Sequence, residues 1–243
     1  MHRFYADSAA ENGFVSLAAE DRSHALRVLR LQPGDEIEVF LSGRRWRAEL
    51  TVCREEEVTA RLLEALPDTE PGLQVTLYQG LPKGEKMELI VQKAVELGVH
   101  RIVPVDMQRC IVRLDASGAR KKQERWQKIA REACKQSGRV REVPVDLPLA
   151  FPAFLESLAA EEAVLVPWEE ARGCSLRSFH DAHPDLTRLG VVIGPEGGIE
   201  KREVEAMQAV HAQPVTLGPR ILRTETAGLC AISALMCLWG EME

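Results

Sequence analysis

No apolar run in this chain approaches the roughly 20 residues that a bilayer span requires, and the opening residues carry His2, Arg3 and Asp7 where a signal peptide would have an apolar stretch. A cytoplasmic protein with no membrane partner is the expectation. The six cysteines, at positions 53, 110, 134, 174, 230 and 237, form no C-x-x-C pair and have no metal-ligand spacing with histidine. Reduced, mostly buried thiols and no metal site are therefore expected. The phosphate-loop pattern G-x-x-x-x-G-K-[ST] is missing, and no glycine cluster has the G-x-G-x-x-G spacing of a dinucleotide fold. A basic excess is lacking too: the formal net charge is −6, which speaks against an indiscriminate nucleic-acid binder.

Charge is nevertheless unevenly spread. Arg101 to Glu142 holds 12 Lys and Arg against 5 Asp and Glu, so that stretch carries +7 and the remainder −13. On charge alone, a basic interaction surface and an ordinary solvated helix face suit this equally.

The richest local signal lies between Leu189 and Ala227, where two apolar strands each lead into a loop bearing glycine and proline and then into a helix. The first reads G-V-V-I-G-P-E-G-G-I-E from Gly190 to Glu200, with Val191 to Ile193 as a buried strand broken at Gly194. The second reads V-T-L-G-P-R-I-L-R-T-E-T-A from Val215 to Ala227, with Val215 to Leu217 extended and Thr224 placed to cap the next helix. Gly197 and Gly198 have no Cβ, so a flat ligand can approach the main chain just before a helix N-terminus. One such loop equally suits a tight connection that keeps a sheet compact. Two in succession point to a pocket, and an adenosine attached to an amino acid needs only backbone contacts and an apolar slot.

Residues 1 to about 66 read as a small β-rich unit. Glu36–Leu41 and Arg45–Val52 alternate around a Ser42-Gly43-Arg44 turn, and a further strand is expected around Val58–Leu62. A short helix, His24–Leu31, is predicted with Leu26 and Leu29 inward and Arg27 and Arg30 outward. With 9 basic against 14 acidic residues in the first 70, composition favours ordinary surface arginine there. Pro67-Asp68-Thr69-Glu70-Pro71-Gly72 has the content of a linker.

Beyond it, short strands and helices alternate, which predicts a parallel α/β sheet. Strands are predicted at Leu73–Gln79, Ile102–Val105, Val143–Val145, Ala163–Val166 and Val191–Ile193. Helices are predicted at Glu85–Leu97, about 120–137, Ile199–His211 and Thr226–Trp239. The last contains no charged residue and must be buried on every side. A central core helix and a homodimer surface suit it equally, with Ala227, Gly228, Ala231 and Ala234 allowing close approach.

These loops resemble the cofactor loops of the SPOUT methyltransferases, and the string L-G-P-R-I-L-R-T-E-T-A resembles one family closely: ribosomal RNA small subunit methyltransferase E. The resemblance covers nearly the whole chain. It implies an α/β fold, with an N-terminal PUA-like RNA-binding β-barrel over residues 1–70 followed by a SPOUT-type α/β domain over residues 73–243 with a C-terminal trefoil knot. It also implies a homodimer that uses S-adenosyl-L-methionine to methylate N3 of a uridine in 16S rRNA, free or within the small ribosomal subunit.

Carried over by position, the resemblance assigns the cofactor to three loops. They are Leu165, Val166 and Pro167; Gly194, Pro195, Glu196, Gly197 and Gly198; and Leu217, Gly218, Ile221, Leu222, Arg223 and Thr224. The matching segment Leu81–Gly98 makes Lys83, Lys93 and Glu96 candidates for substrate positioning, E-A-C-K-Q-S-G-R adds Gln136 and Arg139, and the RNA contacts implied are Arg27, Arg30, Lys83, Lys93, Arg109, Gln136 and Arg139. Beside Arg109, Gln108 and Cys110 depart from the family's acidic residue and serine.

Uridine N3 carries an imide proton that must leave, and the resulting charge spreads onto O2 and O4, so a base and a cation are useful nearby. Arg223 suits the electrostatic role and Glu196 the proton-accepting or orienting one; a salt bridge from Arg223 to Glu225 or Glu196 is the structural alternative. None of the six cysteines sits in a loop suited to nucleophilic methylation at uridine C5. Ribose 2′-O methylation and a catalytically silent RNA-binding module remain the competing functions.

Overall fold

Two units divide the chain in the computed structural model, which describes residues 1–7 and 12–242. The first comprises Met1–Glu70 with Cys134–Glu142, the second Pro71–Ala133 with Val143–Glu243. The segment Cys134–Glu142 thus groups with the N-terminal residues, although its periodicity continues that of the second unit.

In the first unit, strands β1 (His2–Tyr5), β2 (Phe14–Ser16), β3 (Glu36–Leu41), β4 (Arg44–Cys53) and β5 (Val58–Ala65) form one sheet in the order β1-β3-β4-β5-β2. β1 runs parallel to β3 and the other pairs are antiparallel. Leu41 pairs with Arg44 across a two-residue turn in which Ser42 and Gly43 have φ of 50° and 72°, the left-handed pair that matches strand twist. Alternate residues point inward, so Phe4, Val15, Ile37, Val39, Leu50 and Val58 build a shared core. The two outer strands also meet: Asp7 N–H donates to Ser16 O at 2.8 Å and Ala18 N–H to Tyr5 O at 2.8 Å.

The predicted His24–Leu31 helix is corrected. α1 spans Ala19–Ser23 and runs into one π-helical turn, His24–Val28, where Leu29 N–H reaches His24 O at 3.0 Å. Arg30 then reverses the chain with φ 56°, which ends the helix before Leu31. Leu26 and Leu29 do pack against the core.

The linker's end is held in place. The Glu70 carboxylate accepts from Arg139 Nη2 at 2.6 Å, Val140 N–H at 2.9 Å and Arg141 N–H at 3.1 Å, with both side chains of the ion pair under one-tenth exposed.

The second unit is a six-stranded parallel sheet in the order β11-β9-β10-β6-β7-β8. Its strands are β6 (Gln74–Gly80), β7 (Arg101–Asp106), β8 (Leu149–Ala150), β9 (Ala163–Pro167), β10 (Arg188–Ile193) and β11 (Ala212–Val215). β6 and β10 are central and buried almost throughout, as a sheet covered on both faces requires. The helices are α2 (Lys86–Glu96), α3 (Ala116–Ser137), α4 (Phe151–Leu158), α5 (Leu176–Ala182), α6 (Lys201–Gln208) and α7 (Thr224–Leu238).

Several expectations move. Val143–Val145 forms no strand, only a single bridge from Val145 to Ile102. The strand expected at Val215–Leu217 lies earlier, at Ala212–Val215, because Thr216 turns away to pair with Ser175. α3 starts at Ala116, where the Asp115 carboxylate takes the Gly118 N–H at 2.7 Å. α6 is shorter than predicted: Glu200 and Glu203 cap its start reciprocally and His211 reverses the chain at φ 69°. α4 and α5 are additional; α5 is announced by a reciprocal Ser175–Ser178 cap.

α7 is not buried all round. Gly228, Ala231, Ile232, Leu235 and Met236 face inward, while Cys230 and Cys237 are exposed, so the expectation of mostly buried thiols fails at these two.

Glu70→Ala removes one partner of a buried ion pair and three hydrogen-bond acceptances within the first unit, which costs about 3–5 kcal/mol. Thermal denaturation followed by circular dichroism is expected to show a clearly lower midpoint; an unchanged midpoint would show that the pair carries no stability.

Candidate active site

Strand order positions the site. β11, β9 and β10 are parallel neighbours, so the loops leaving their carboxyl ends emerge side by side, where ligands of open α/β sheets bind. Those loops are Trp168-Glu169 after β9, Gly194–Glu200 after β10 and Thr216–Arg223 after β11. They enclose a cleft of about 400 Å³ that Pro167, Glu169, Ile193–Ile199 and Ile221–Thr224 line, along with Lys86 and Ala227. A smaller space of about 120 Å³ continues from it, lined by Trp168, Thr216, Leu217, Gly218, Pro219 and Arg220.

Each loop holds its shape for a local reason. Gly198 N–H closes a turn on Pro195 O at 2.9 Å, and Gly198 has φ 74°. A Cβ on Gly194 would lie 2.6 Å from the Ile199 side chain, and one on Gly80 2.8 Å from Pro195 N, so both positions require glycine. In the third loop Gly218 has φ 100°, its N–H donates to Thr216 Oγ1 at 3.1 Å, and Ile221 stands 89% exposed at the rim.

Thr224 does not cap α7 with its side chain. Arg223 occupies the cap position, and the buried Thr224 hydroxyl donates to Gly194 O at 2.7 Å while accepting from Gln79 Nε2 at 2.9 Å. That chain of bonds ties β6, the second loop and α7 together.

The charge arrangement centres on Lys86, which the sequence reading passed over. Its ammonium lies 3.0 Å from the Glu196 carboxylate and 3.2 Å from that of Glu225. Lys83 N–H also donates to Glu196, at 3.1 and 3.3 Å. Partial burial pushes the Glu196 carboxyl up, but its own N–H, Lys86 and the Lys83 N–H outweigh it, so the net shift is downward. Glu225 is also lowered, first by its own N–H and then by Lys86, with Arg223 contributing through space. Lys86 is raised by its two carboxylates, Glu196 first. A carboxylate held ionised in this way is a weak proton acceptor and a good anchor. Among the described residues Arg223 makes no ion pair with Glu196 or Glu225, since Lys86 takes both; Arg223 is exposed at the cleft.

Of the other anticipated residues, Leu165 and Val166 are fully buried within β9 and only Pro167 reaches the cleft. Arg109 Nη1 donates to Gly197 O at 2.9 Å and so supports the second loop from outside. Lys83 and Gln136 are exposed, and Lys93 pairs with Glu96 at 2.8 Å. Arg27 is exposed and pairs with Glu55 at 2.7 Å; Arg30 is exposed. Arg139 is 5% exposed, with its guanidinium on Glu70 in the first unit.

The lining is apolar at Ile193, Ile199, Leu222 and Ala227, with backbone polar groups between. The carboxylates of Glu169 and Glu196 border it, and Lys86 is neutralised. Trp168 Nε1 is buried with no acceptor among the described residues. This set disfavours a polyphosphate and suits a flat heterocycle that accepts hydrogen bonds and carries a cationic centre.

The lowered carboxylates set a pH dependence. Stabilisation from a depressed carboxyl is complete above its unfolded value and is lost as pH falls through the folded one. Lys86→Met is therefore expected to lower the thermal midpoint at neutral pH, the gap to wild type closing as pH drops below the carboxylate range. A gap that stays constant with pH would remove the Lys86 pairings as its cause.

A family model described as an RNA methyltransferase domain matches residues 69–236, and one described as an RNA methyltransferase PUA domain matches residues 17–63. Ribosomal RNA small subunit methyltransferase E of Bacillus subtilis is 36% identical over 227 residues, covering 90% of this chain and 88% of its own. The protein of the same name from Aquifex aeolicus is 31% identical over 243 residues, covering 97% and 99%. The crystal structure of a ribosomal RNA small subunit methyltransferase E from Neisseria gonorrhoeae bound to S-adenosyl methionine has a TM-score of 0.86 at 39% identity, covering 98% of each chain. Matched by both family models and by relatives along nearly their whole length, the chain belongs to the ribosomal RNA small subunit methyltransferase E family.

Proposed function

We propose that this protein transfers a methyl group from S-adenosyl-L-methionine to N3 of a specific uridine in 16S rRNA, acting in the cytoplasm as a homodimer on the RNA or the small ribosomal subunit. The convergence of the loops after β9, β10 and β11 on one cleft carries this reading. Bound there, S-adenosylmethionine supplies a methyl group activated by a sulfonium. The Gly194–Gly198 and Leu217–Leu222 loops hold the adenosine against apolar side chains and backbone, the buried Trp168 N–H offers it a donor, and the Glu169 and Glu196 carboxylates suit the sulfonium charge.

Arg223 stands at the rim of the same cleft. Its guanidinium stabilises the negative charge that spreads onto uridine O2 and O4 as the N3 proton is lost to solvent. Glu196, kept ionised by Lys86 and the Lys83 N–H, orients the loop; a proton-accepting role suits it poorly. The positioning of donor and acceptor supplies much of the remaining rate.

Residues 1–70 serve as a PUA-like barrel that contacts RNA, with Arg27 and Arg30 on its surface; the bonds joining the two outer strands support closure of the sheet. Lys83, Lys93, Arg109 and Gln136 are the further RNA contacts proposed. Residues 73–243 form the SPOUT domain, and a trefoil knot is the threading proposed for its C-terminal part. The half-exposed apolar face of α7, with Leu229, Cys230, Ala234 and Cys237, supports a dimer through that helix. Among the described residues no helix is long and apolar enough to cross a membrane.

N3 methylation blocks base pairing. Primer extension over 16S rRNA from cells lacking the protein is therefore expected to lose one polymerase stop, and an unaltered pattern of stops would overturn the assignment. Arg223→Ala is expected to lower kcat roughly 10²- to 10³-fold with S-adenosylmethionine affinity little changed. Unaltered turnover would take Arg223 out of the mechanism.

A further inference from the structure

A second cavity, of about 470 Å³, lies at the carboxyl end of β7, lined by Asp106, Met107, Gln108, Arg113, Phe151, Arg202 and Glu203. Its size is that of a small-molecule or nucleotide site. The acidic groups are already engaged. Asp106 pairs with Arg113, and the buried Glu203 carboxylate accepts Gln108 N–H at 2.9 Å and Glu200 N–H at 3.1 Å.

What the cavity presents is therefore aromatic and cationic. Arg113 also donates to Met107 O at 3.2 Å and Gln108 O at 3.1 Å, which fixes its guanidinium plane. Phe151 is half-buried, with one side against Phe154 at 5.6 Å between ring centroids. The Arg202 side chain is 67% exposed and pairs with the half-buried Glu200 at 2.7 Å.

A chain of contacts links this cavity to the cofactor cleft. Gly197 lines the cleft, and its carbonyl accepts from Arg109, the residue next to Gln108 in the cavity wall. Glu200 pairs with Arg109 at 3.7 Å on one side and Arg202 on the other. A ring, a fixed guanidinium plane and one accessible cation match a nucleotide, because splayed RNA bases stack on aromatic rings and arginine planes while their phosphates take arginine.

We propose that this cavity holds a nucleotide flanking the methylated one, its base against Phe151 and Arg113 and its phosphate on Arg202. The inference rests on the RNA methyltransferase reading above. A base buried in structured RNA must leave its stack to reach the methyl donor; a neighbour captured here offsets part of that cost and sets the register of the RNA.

The test uses the full-length protein, radiolabelled S-adenosylmethionine and small ribosomal subunits from cells lacking it. Phe151→Leu keeps apolar packing on Phe154 but removes the stacking face; it is expected to raise KM for subunits roughly 5- to 100-fold. Arg202→Ala is expected to raise KM and to reduce the salt dependence of RNA binding by about one counterion, an effect that no structural role of an exposed side chain reproduces. Affinity for S-adenosylmethionine stays at the wild-type level in both.

Unchanged KM in both variants overturns the proposal, as does a loss of S-adenosylmethionine affinity that accounts for the whole KM change. Binding of a fluorescent single-stranded RNA oligonucleotide to the same variants reads the cavity without turnover: weaker binding supports the site and equal binding overturns it. Wild-type protein that methylates no subunit would instead refute the methyltransferase reading and leave that binding measurement to decide the cavity.

Discussion

The buried hydroxyl of Thr224 is the contact on which the site most depends. It joins the Gln79 amide on β6 to the Gly194 carbonyl at the break of β10, and it does so from the first turn of α7. Three elements are held at one point, and two of them, the loop after β10 and the start of α7, border the cleft. Hydrogen bonds in such a chain strengthen one another in a low-dielectric interior, and loss of any member leaves a buried polar group without its partner. Glycine at positions 80 and 194 is the steric complement, since a Cβ on Gly80 would push Pro195 of the β10 loop off β6 and one on Gly194 would strike Ile199 within the loop itself.

Around that point the charges form a second layer. Lys86 spans Glu196 on the loop and Glu225 on α7, so the two elements that the Thr224 hydroxyl joins inside are also joined at the rim. With Lys86 neutralised, Arg223 is an accessible cation lining the cleft. This division separates holding the pocket from stabilising charge in the reaction, and it explains why two basic residues so near each other have different roles.

The cofactor cleft and the cavity at β7 are linked through Arg109, which donates to Gly197 O and pairs with Glu200, itself the partner of Arg202. A methyl donor on one side and a flanking nucleotide on the other would place the target base between two fixed points, which is what alignment of a transfer reaction requires.

Much of this architecture was legible in the amino-acid order. Strand and helix alternation, the break at Gly194, the turn at Ser42-Gly43 and the bends around Gly198 and Gly218 follow from backbone sterics that act over a few residues. The strings carrying them were enough to indicate the family. Local signals failed where a distant partner prevailed. Thr224 reads as a cap but bonds to Gln79, 145 positions away. Nothing local announces that Arg139 is buried on Glu70, 69 positions away. α7 reads as uniformly buried, yet only one face meets the sheet. Sequence alone thus determined the loops and the class of ligand they can hold, because backbone conformation is a short-range property. Which carboxylates Lys86 neutralises, which arginine stays accessible and where the second cavity opens were decided only by the tertiary structure, because ion pairing and burial depend on what the fold brings together.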